Sequence, residues 1–169
     1  KDNSMYNNQK VYAVGDLIDG PMLAHKASEE AVALVESFNG TDSHINYLAI
    51  PSVIYTQPEV ASVGLTEEEA KEMGLGIKIG KYSFKGNSRA KCTGHDEGLV
   101  KILAEEKTLK IIGMHIVNAH ASEMIGEGVI AIEKQANVND IAHACHAHPT
   151  YSEAIKEAAL SVTGKPIHG

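Results

Sequence analysis

The sequence predicts an α+β fold, in which a mainly antiparallel sheet has helices packed on it and is preceded by a strand–helix segment. Strand-like stretches fill most of the chain from residue 47 to Asn118, and helical periodicity follows. The last two predicted strands, GLVKILA and LKIIGMHIV, are joined only by EEKT, which fits a hairpin and is too short for a parallel crossover. Strands followed by helices, without strict alternation, indicate this fold class.

Composition and charge restrict the classes of function. The 169 residues are 43% hydrophobic and 22% charged, which is enough apolar material for a buried core. A formal net charge of -7 without any basic run argues against a nucleic-acid or anionic membrane partner. No apolar stretch approaches the ~20 residues that span a bilayer, and KDNSMYNNQK has no apolar signal core. We therefore expect a soluble, intracellular protein with no nucleic-acid or membrane partner.

The first 46 residues predict one strand, a tight turn and one helix. Residues 1–10 are polar and predict no element, KVYAV predicts a strand, and DLIDGP predicts a turn. Apolar residues recur at helical spacing from Met22 onward, and Asn39-Gly40 is a favoured helix end. The polar link TDSHIN then predicts a boundary, so we assign residues 1–46 and 47–169 to different domains.

The remaining residues predict strands first and helices last. YLAIPSVIYT and VASVGL flank a turn at QPE, and IKIGKYSF precedes the hairpin. Thr66 and Glu69 form a capping-box pattern that opens a short helix, which Gly74 ends. Three later helices are predicted: one with an apolar stripe as far as Ala136, one over DIAHACHA after a break at NVND, and one over YSEAIKEAALSV.

The cysteines do not form a recognisable motif. Cys92 and Cys145 are far apart in sequence and belong to neither a CxxC nor a longer paired pattern. That spacing argues against a disulfide framework and against a zinc knuckle. We expect two reduced thiols, at least one of them buried.

The stretch HAHPTYSE near the end of the chain is rich in possible ligands. A metal site is one interpretation, because His143, His146 and His148 lie within six residues. However, the proline after His148 biases its backbone towards an extended conformation, which turns it away from the helix face of the other two. No second ligand cluster has metal spacing, so we predict that no metal is bound.

Two further interpretations of this stretch involve Glu153. Thr150 and Glu153 match the capping-box pattern, in which the glutamate only starts a helix. Alternatively, Glu153 lies beside His148 and accepts from one ring nitrogen, which sets the tautomer and leaves the other nitrogen as a base near neutral pH. A carboxylate has two oxygens, so both interpretations can hold together, and the spacing alone does not separate them.

HAHPTYSEAIKEA closely resembles the C-terminal signature of the flavin-dependent pyridine nucleotide-disulfide oxidoreductases. VYAVGD, GPMLAHKASEEA and IYTQPEVASVGLTEEEA agree with that family in the same order, as do NSRAK and the helix beginning ASEMIGEGV. The similarity covers nearly all of the chain from Val11. The HAHPT form most resembles the branch of the family that oxidises protein-bound dihydrolipoamide with FAD and NAD.

The resemblance implies a fragment of a longer chain. Residues 1–46 correspond to the last segment of an FAD-binding domain, and residues 47–169 to an interface domain that forms a homodimer. The sequence lacks the family's GxGxxG for the FAD diphosphate, its NAD fingerprint and its redox-active cysteine pair, whose place neither Cys92 nor Cys145 occupies. We expect a fragment that dimerises but does not turn over alone.

The resemblance also implies a half-site for FAD near the start of the chain. Asp16, at the end of VYAVGD, is expected to hydrogen-bond a ribityl hydroxyl of FAD. The backbone N–H groups of Met22, Leu23, Ala24 and His25 are expected to face the pyrimidine edge of the flavin. The positive end of their helix would stabilise negative charge on the reduced ring.

The same resemblance assigns the acid–base residues. His148 is expected to take a proton from a dithiol substrate while Glu153 holds its ring. His146 is expected to support this pair, and Pro149 resembles a position that is cis in the family. In the family this histidine serves the disulfide of the other subunit, so one active site needs two chains.

The implied partners are a second copy of the chain and the lipoyl domains of 2-oxo acid dehydrogenase or glycine cleavage complexes. The implied compartment is a bacterial cytoplasm or a mitochondrial matrix. Two alternatives stay open. One is another enzyme of the same family, such as a glutathione, mercuric or related flavin reductase, and the other is a non-catalytic dimerisation module in which HAHPTYSE is only a capped turn.

Overall fold

A computed structural model describes residues 4–6 and 9–168 of the chain. The chain divides into two compact units, Lys1–Tyr47 and Leu48–Gly169. Part of the expectation for the first ten residues, at residues 1–3 and 7–8, lies outside the described residues. The assignment of the first unit to an FAD-binding domain stays a prediction.

The first unit contains a short hairpin and one long helix. Its elements are β1 (Ser4–Tyr6), β2 (Gln9–Val11) and α1 (Ala24–Phe38). β1 and β2 pair antiparallel, so the expectation that no element forms before residue 11 is wrong there. The strand predicted over KVYAV forms only as far as Val11. A three-residue strand is too short to show an apolar periodicity, so the sequence pattern could not set its bounds.

The second unit is built on a five-stranded antiparallel sheet, which confirms the predicted α+β class. Its strands are β3 (Ser52–Ile54), β4 (Glu59–Gly64), β5 (Ile77–Ser83), β6 (Leu99–Glu105) and β7 (Ile111–Asn118), in the spatial order β3-β4-β7-β6-β5. The predicted β6–β7 hairpin is confirmed. The strand predicted over YLAIPSVIYT is reduced to β3, since Tyr47–Ala49 form a 3-10 turn and Pro51 has no N–H to donate.

Within the described residues, the second unit contains five helices. They are α2 (Glu67–Glu72), α3 (Ser88–Thr93), α4 (Ala121–Glu133), α5 (Val138–His143) and α6 (Glu153–Val162). The capping box at Thr66 and Glu69 that opens α2 is confirmed. The predicted break between two late helices is present, but it lies at residues 134–137, and α5 begins at Val138 rather than after NVND because Asn137 and Asp140 form a capping box there. The unpredicted α3 is a short polar turn of helix, capped by Asn87.

Helices α4 and α6 pack on the sheet through a continuous apolar core. Met114 and Ile116 of β7 are fully buried there, as is Ile155 of α6. The approach of α6 to β5 is so close that a Cβ placed on Gly80 would lie 2.1 Å from the carbonyl oxygen of Ala158. This packing fixes the position of the N-terminus of α6, which carries Glu153. None of the helices in the described residues is long and apolar enough to cross a membrane.

Both cysteines are exposed, so the expectation that at least one is buried is wrong. Cys92 lies on α3, where Ala90 is the residue that enters the core. Cys145 lies in the connection after α5. Each belongs to a short peripheral segment, which has too little apolar surface to bury an additional thiol.

Candidate functional site

The connection between α5 and α6 brings His148 against Glu153. Nδ1 of His148 lies 2.8 Å from Oε1 of Glu153. An ionised carboxylate only accepts hydrogen bonds, so Nδ1 carries the proton and donates it. Nε2 then keeps its lone pair and has no hydrogen-bond partner among residues 4–6 and 9–168. Since the His148 side chain is 66% exposed, this nitrogen can reach a solvent-borne group.

The second oxygen of Glu153 binds the backbone just before helix α6. Oε2 accepts from the backbone N–H of Thr150 at 2.8 Å. The hydroxyl of Thr150 donates to the carbonyl of Ala147 at 2.7 Å. The N-cap of α6 is Ser152 and no side chain caps that helix end, so the predicted capping box with Thr150 at the N-cap is wrong. The carboxylate therefore holds the backbone at Thr150 with one oxygen and orients the imidazole with the other.

The environment of Glu153 keeps its carboxylate ionised. Burial by itself raises the pKa of Glu153, but the hydrogen bonds from the Thr150 amide and the His148 ring outweigh it, and the pKa falls below its usual value. The group is therefore negative at neutral pH. A fixed negative charge beside Nδ1 keeps the proton on that nitrogen and leaves Nε2 as the acceptor of a further proton.

The backbone around this pair is held from a distant part of the sequence. The peptide bond between His148 and Pro149 is cis, as the resemblance implies for Pro149. Nδ2 of Asn87, which is buried, donates to the carbonyl of Thr150 at 2.9 Å. The segment that carries His148 is thus attached to the cap of α3 as well as to α6.

His146 makes a pair of its own. Nε2 of His146 lies 3.0 Å from Oε1 of Glu127 on α4, and its Nδ1 lies 3.2 Å from the carbonyl oxygen of Ala144. His143, the last residue of α5, is exposed. Within residues 4–6 and 9–168, no group of three or more His, Cys, Asp or Glu side chains is placed to hold a metal ion. The clustered histidines therefore do not converge on one point.

The residues predicted to contact a flavin lie in the first unit. Asp16 is exposed on a 3-10 turn, Gly15–Leu17. Leu23 is the N-cap of α1, and no side chain caps this helix end. Met22 is 78% exposed, and the exposed Ala24 and His25 follow at the start of the helix. A cavity of about 840 Å³ in this unit includes none of these five residues in its lining.

A buried ion pair beside Asp16 was not predicted from the sequence. Lys26 and Glu30 are 0% and 4% exposed, and Nζ lies 3.1 Å from Oε1. Nζ also donates to the carbonyl of Gly15 at 3.0 Å, and the Gly15 N–H donates to Oε2 of Glu30 at 2.6 Å. Both side chains occupy helical positions next to apolar stripe residues, a signal that could have identified them. The pair fastens the turn that carries Asp16 to α1.

Comparison with known families gives a match over most of the second unit. Residues 50–159 match the dimerisation domain of the pyridine nucleotide-disulphide oxidoreductases. The match includes β3 to β7, α2 to α5 and most of α6. His148 and Glu153 lie inside the matched range.

Individual relatives cover nearly all of this chain. The mitochondrial dihydrolipoyl dehydrogenase of Pisum sativum is 56% identical over 162 residues, which are 96% of this chain and 32% of the relative. A leghemoglobin reductase of Glycine max is 54% identical over 95% of this chain and 31% of its own length. The chain thus spans about a third of the length of the curated relatives it matches.

The solved structure of LpdA from Mycobacterium tuberculosis has a similar fold. It superposes with a TM-score of 0.81 at 28% sequence identity. The superposition covers 88% of this chain and 32% of LpdA.

Proposed function

The chain belongs to the pyridine nucleotide-disulphide oxidoreductase family through its dimerisation domain, and on this premise we propose that it supplies the acid–base pair of a site that oxidises dithiols. The observation that carries the proposal is the 2.8 Å contact between Nδ1 of His148 and Oε1 of Glu153, on an exposed ring. The proposed substrate of the intact protein is protein-bound dihydrolipoamide, which is oxidised to lipoamide. The name of the pea relative supports this choice.

In the proposed mechanism, Nε2 of His148 takes the proton of a substrate thiol. The thiolate is the nucleophile in thiol–disulfide exchange, so this proton transfer starts exchange with a disulfide that lies outside the present sequence. Glu153 stays ionised, keeps the Nδ1–H in place and stabilises the imidazolium once the proton has arrived. One molecule of dithiol loses two protons and two electrons in the complete reaction.

Membership of this family implies a flavin and a pyridine nucleotide as redox partners of the intact protein. The chemistry that FAD supplies when bound is acceptance of the electron pair, which is then transferred to NAD as a hydride. The first unit fits such a group, because α1 begins with neither a capping side chain nor an acidic residue in its first turn. Its positive end therefore favours an electron-rich edge. We propose that Asp16 and the backbone N–H groups of residues 22–25 contact FAD there.

The proposed assembly is a homodimer in which His148 of one protomer serves the disulfide of its partner. The description of the matched family as a dimerisation domain supports this arrangement. The proposed partners of the dimer are lipoyl domains of 2-oxo acid dehydrogenase or glycine cleavage complexes. The proposed compartment is the mitochondrial matrix, since the pea relative is named as mitochondrial; these comparisons do not support a bacterial cytoplasm.

The experiment is a substitution of His148 by Gln in the full-length protein. Loss of a general base lowers kcat by about 100-fold to 10,000-fold, and we expect a loss in that range for oxidation of dihydrolipoamide. His143→Gln is the matched control, because His143 is an exposed histidine five positions upstream and should leave kcat unchanged. The native molecular mass of each variant reports whether the dimer is intact, and its melting temperature reports whether the variant is folded.

Two outcomes would favour the alternatives. A loss of only a few-fold in the folded His148→Gln dimer would contradict the acid–base role and favour a non-catalytic dimerisation module. Faster reduction of glutathione disulfide or mercuric ion by reduced pyridine nucleotide than oxidation of dihydrolipoamide by NAD would instead assign the unmodified protein to another enzyme of the family.

A further inference from the structure

We propose that Glu127 and His146 form a positioning pair that sets the location of His148. This inference rests on the proposed function of His148 as a base. Glu127 lies on α4 and is separated by 21 positions from His148 in the sequence. No periodicity or motif in the sequence assigns it a role.

The hydrogen bonds of His146 indicate that its ring is held on both sides. One ring nitrogen faces the carboxylate of Glu127 at 3.0 Å, and the other faces the carbonyl oxygen of Ala144 at 3.2 Å. Both partners are acceptors, and a neutral imidazole has only one N–H to donate. A neutral ring therefore donates to one of these two oxygens at a time. The His146 side chain is 10% exposed and the Glu127 side chain is 32% exposed, so the ring is largely shielded from water while the carboxylate is partly hydrated.

This pair anchors the segment that leads to His148. The carbonyl of Ala144 accepts from Nζ of Lys156 on α6 at 2.9 Å as well as from His146. The backbone is thus tied at residue 144 to α6 and at residue 146 to α4. A single residue, Ala147, separates the second tie from His148.

Helix α4, which carries Glu127, packs directly against the sheet. Gly128, the next residue, is buried against the sheet, where an added Cβ would lie 2.9 Å from Sδ of Met114 and 3.0 Å from Cγ1 of Val63. Helix α4 therefore has no room to move towards the sheet. Because Glu127 belongs to this helix, its bond to His146 can keep the loop at a fixed distance from the sheet.

Anchoring matters because His148 itself has little packing. Its side chain is 66% exposed, and its described polar contact is the bond to Glu153. Glu153 sets the rotation of the ring, whereas the position of the backbone at His148 depends on the loop. A misplacement of about 1 Å in a catalytic group can cost on the order of 100-fold in rate. We expect a partial misplacement when the pair is broken, and a loss of about tenfold.

The test uses the full-length protein and four substitutions of the pair. Glu127→Ala and His146→Ala should each lower kcat by about tenfold with KM nearly unchanged. Glu127→Gln and His146→Gln retain an acceptor or a donor at the same place, so each should recover kcat to within about threefold of the unmodified enzyme. Glu123→Ala is the control on α4, since Glu123 is exposed one turn earlier and should have no effect.

The decisive measurement is a double-mutant comparison with His148→Gln. If Glu127 acts through the base, Glu127→Ala should cost nothing further once His148 is Gln. Equal losses in both backgrounds, or no loss in the unmodified background, would overturn the inference while leaving the proposed function intact. If His148→Gln alone has no large effect, the proposed function fails and the positioning role fails with it.

The conservative variants keep the test decisive when an alanine variant is unstable. Glu127→Gln and His146→Gln preserve the size and polarity of the pair, so they should fold like the unmodified protein. If these variants melt normally and show no rescue relative to their alanine partners, the pair has no positioning role.

Discussion

Replacing Gly80 by Ala should separate helix α6 from the sheet. The added Cβ would lie 2.1 Å from the carbonyl oxygen of Ala158, 2.6 Å from Cγ2 of Val162 and 2.8 Å from the backbone nitrogen of Val162. Real Cβ atoms essentially never approach closer than 3.0 Å, so at least about 0.9 Å of separation has to be added at the closest contact. Two of these three atoms belong to the backbone of α6 and cannot rotate away.

The cost of Gly80→Ala follows from this geometry. Overpacking of a core costs about 1–3 kcal/mol, and we expect the upper end because a whole helix has to move. For a domain of this size, about 3 kcal/mol lowers the melting temperature by roughly 10 °C. The movement should also break the hydrogen bonds by which Ser161 on α6 joins the N–H and C=O of Lys81 on β5, at 2.8 and 3.1 Å.

Urea unfolding of Gly80→Ala and of Gly76→Ala provides the assay. Gly76 is the matched control, because its nearest neighbours are atoms of the flexible and exposed Glu106 side chain, the closest at 2.8 Å. That side chain can swing into solvent, so we expect a change below about 1 kcal/mol. If the two variants unfold with the same free energy, the close packing of α6 on β5 is not what limits this position.

Two further predictions concern Glu157 and His115. The buried Glu157 on α6 accepts from the backbone N–H groups of Ile167 and His168 and from the ring of His168. Glu157→Ala should therefore cost about 1.5–3 kcal/mol in urea unfolding and speed hydrogen exchange at Ile167. Unchanged exchange at Ile167 would contradict the conclusion that these bonds hold residues 167 and 168 against α6. Burial lowers the pKa of His115, although the bond it donates to Leu65 opposes this. Because the unfolded chain takes up this proton at higher pH, the free energy of unfolding should fall as pH drops below about 6.5, and His115→Gln should flatten that fall. An NMR titration in which the His115 ring titrates at or above pH 6.5 would refute this.

Local patterns explain why much of the fold could be predicted. The β6–β7 hairpin is joined by the five residues 106–110, and the α2 capping box joins two residues three positions apart. Such interactions lie within one stretch of sequence, so spacing records them. His148 and Glu153 are also close in sequence, and their contact was an expectation of the resemblance and one of three open interpretations of the spacing.

The sequence by itself determined the fold class, the positions of the main strands along the chain, the β6–β7 hairpin and the family resemblance, whereas the spatial order of the strands came from the structure. Only the tertiary structure decided which groups surround the candidate base: Glu127 is 19 positions from His146, and Asn87 is 63 positions from Thr150. It also decided that Lys26 and Glu30 are buried together and that the cysteines are exposed. The physical reason is that these contacts join elements brought together by packing of apolar faces, whose relative positions leave no periodic pattern in the chain.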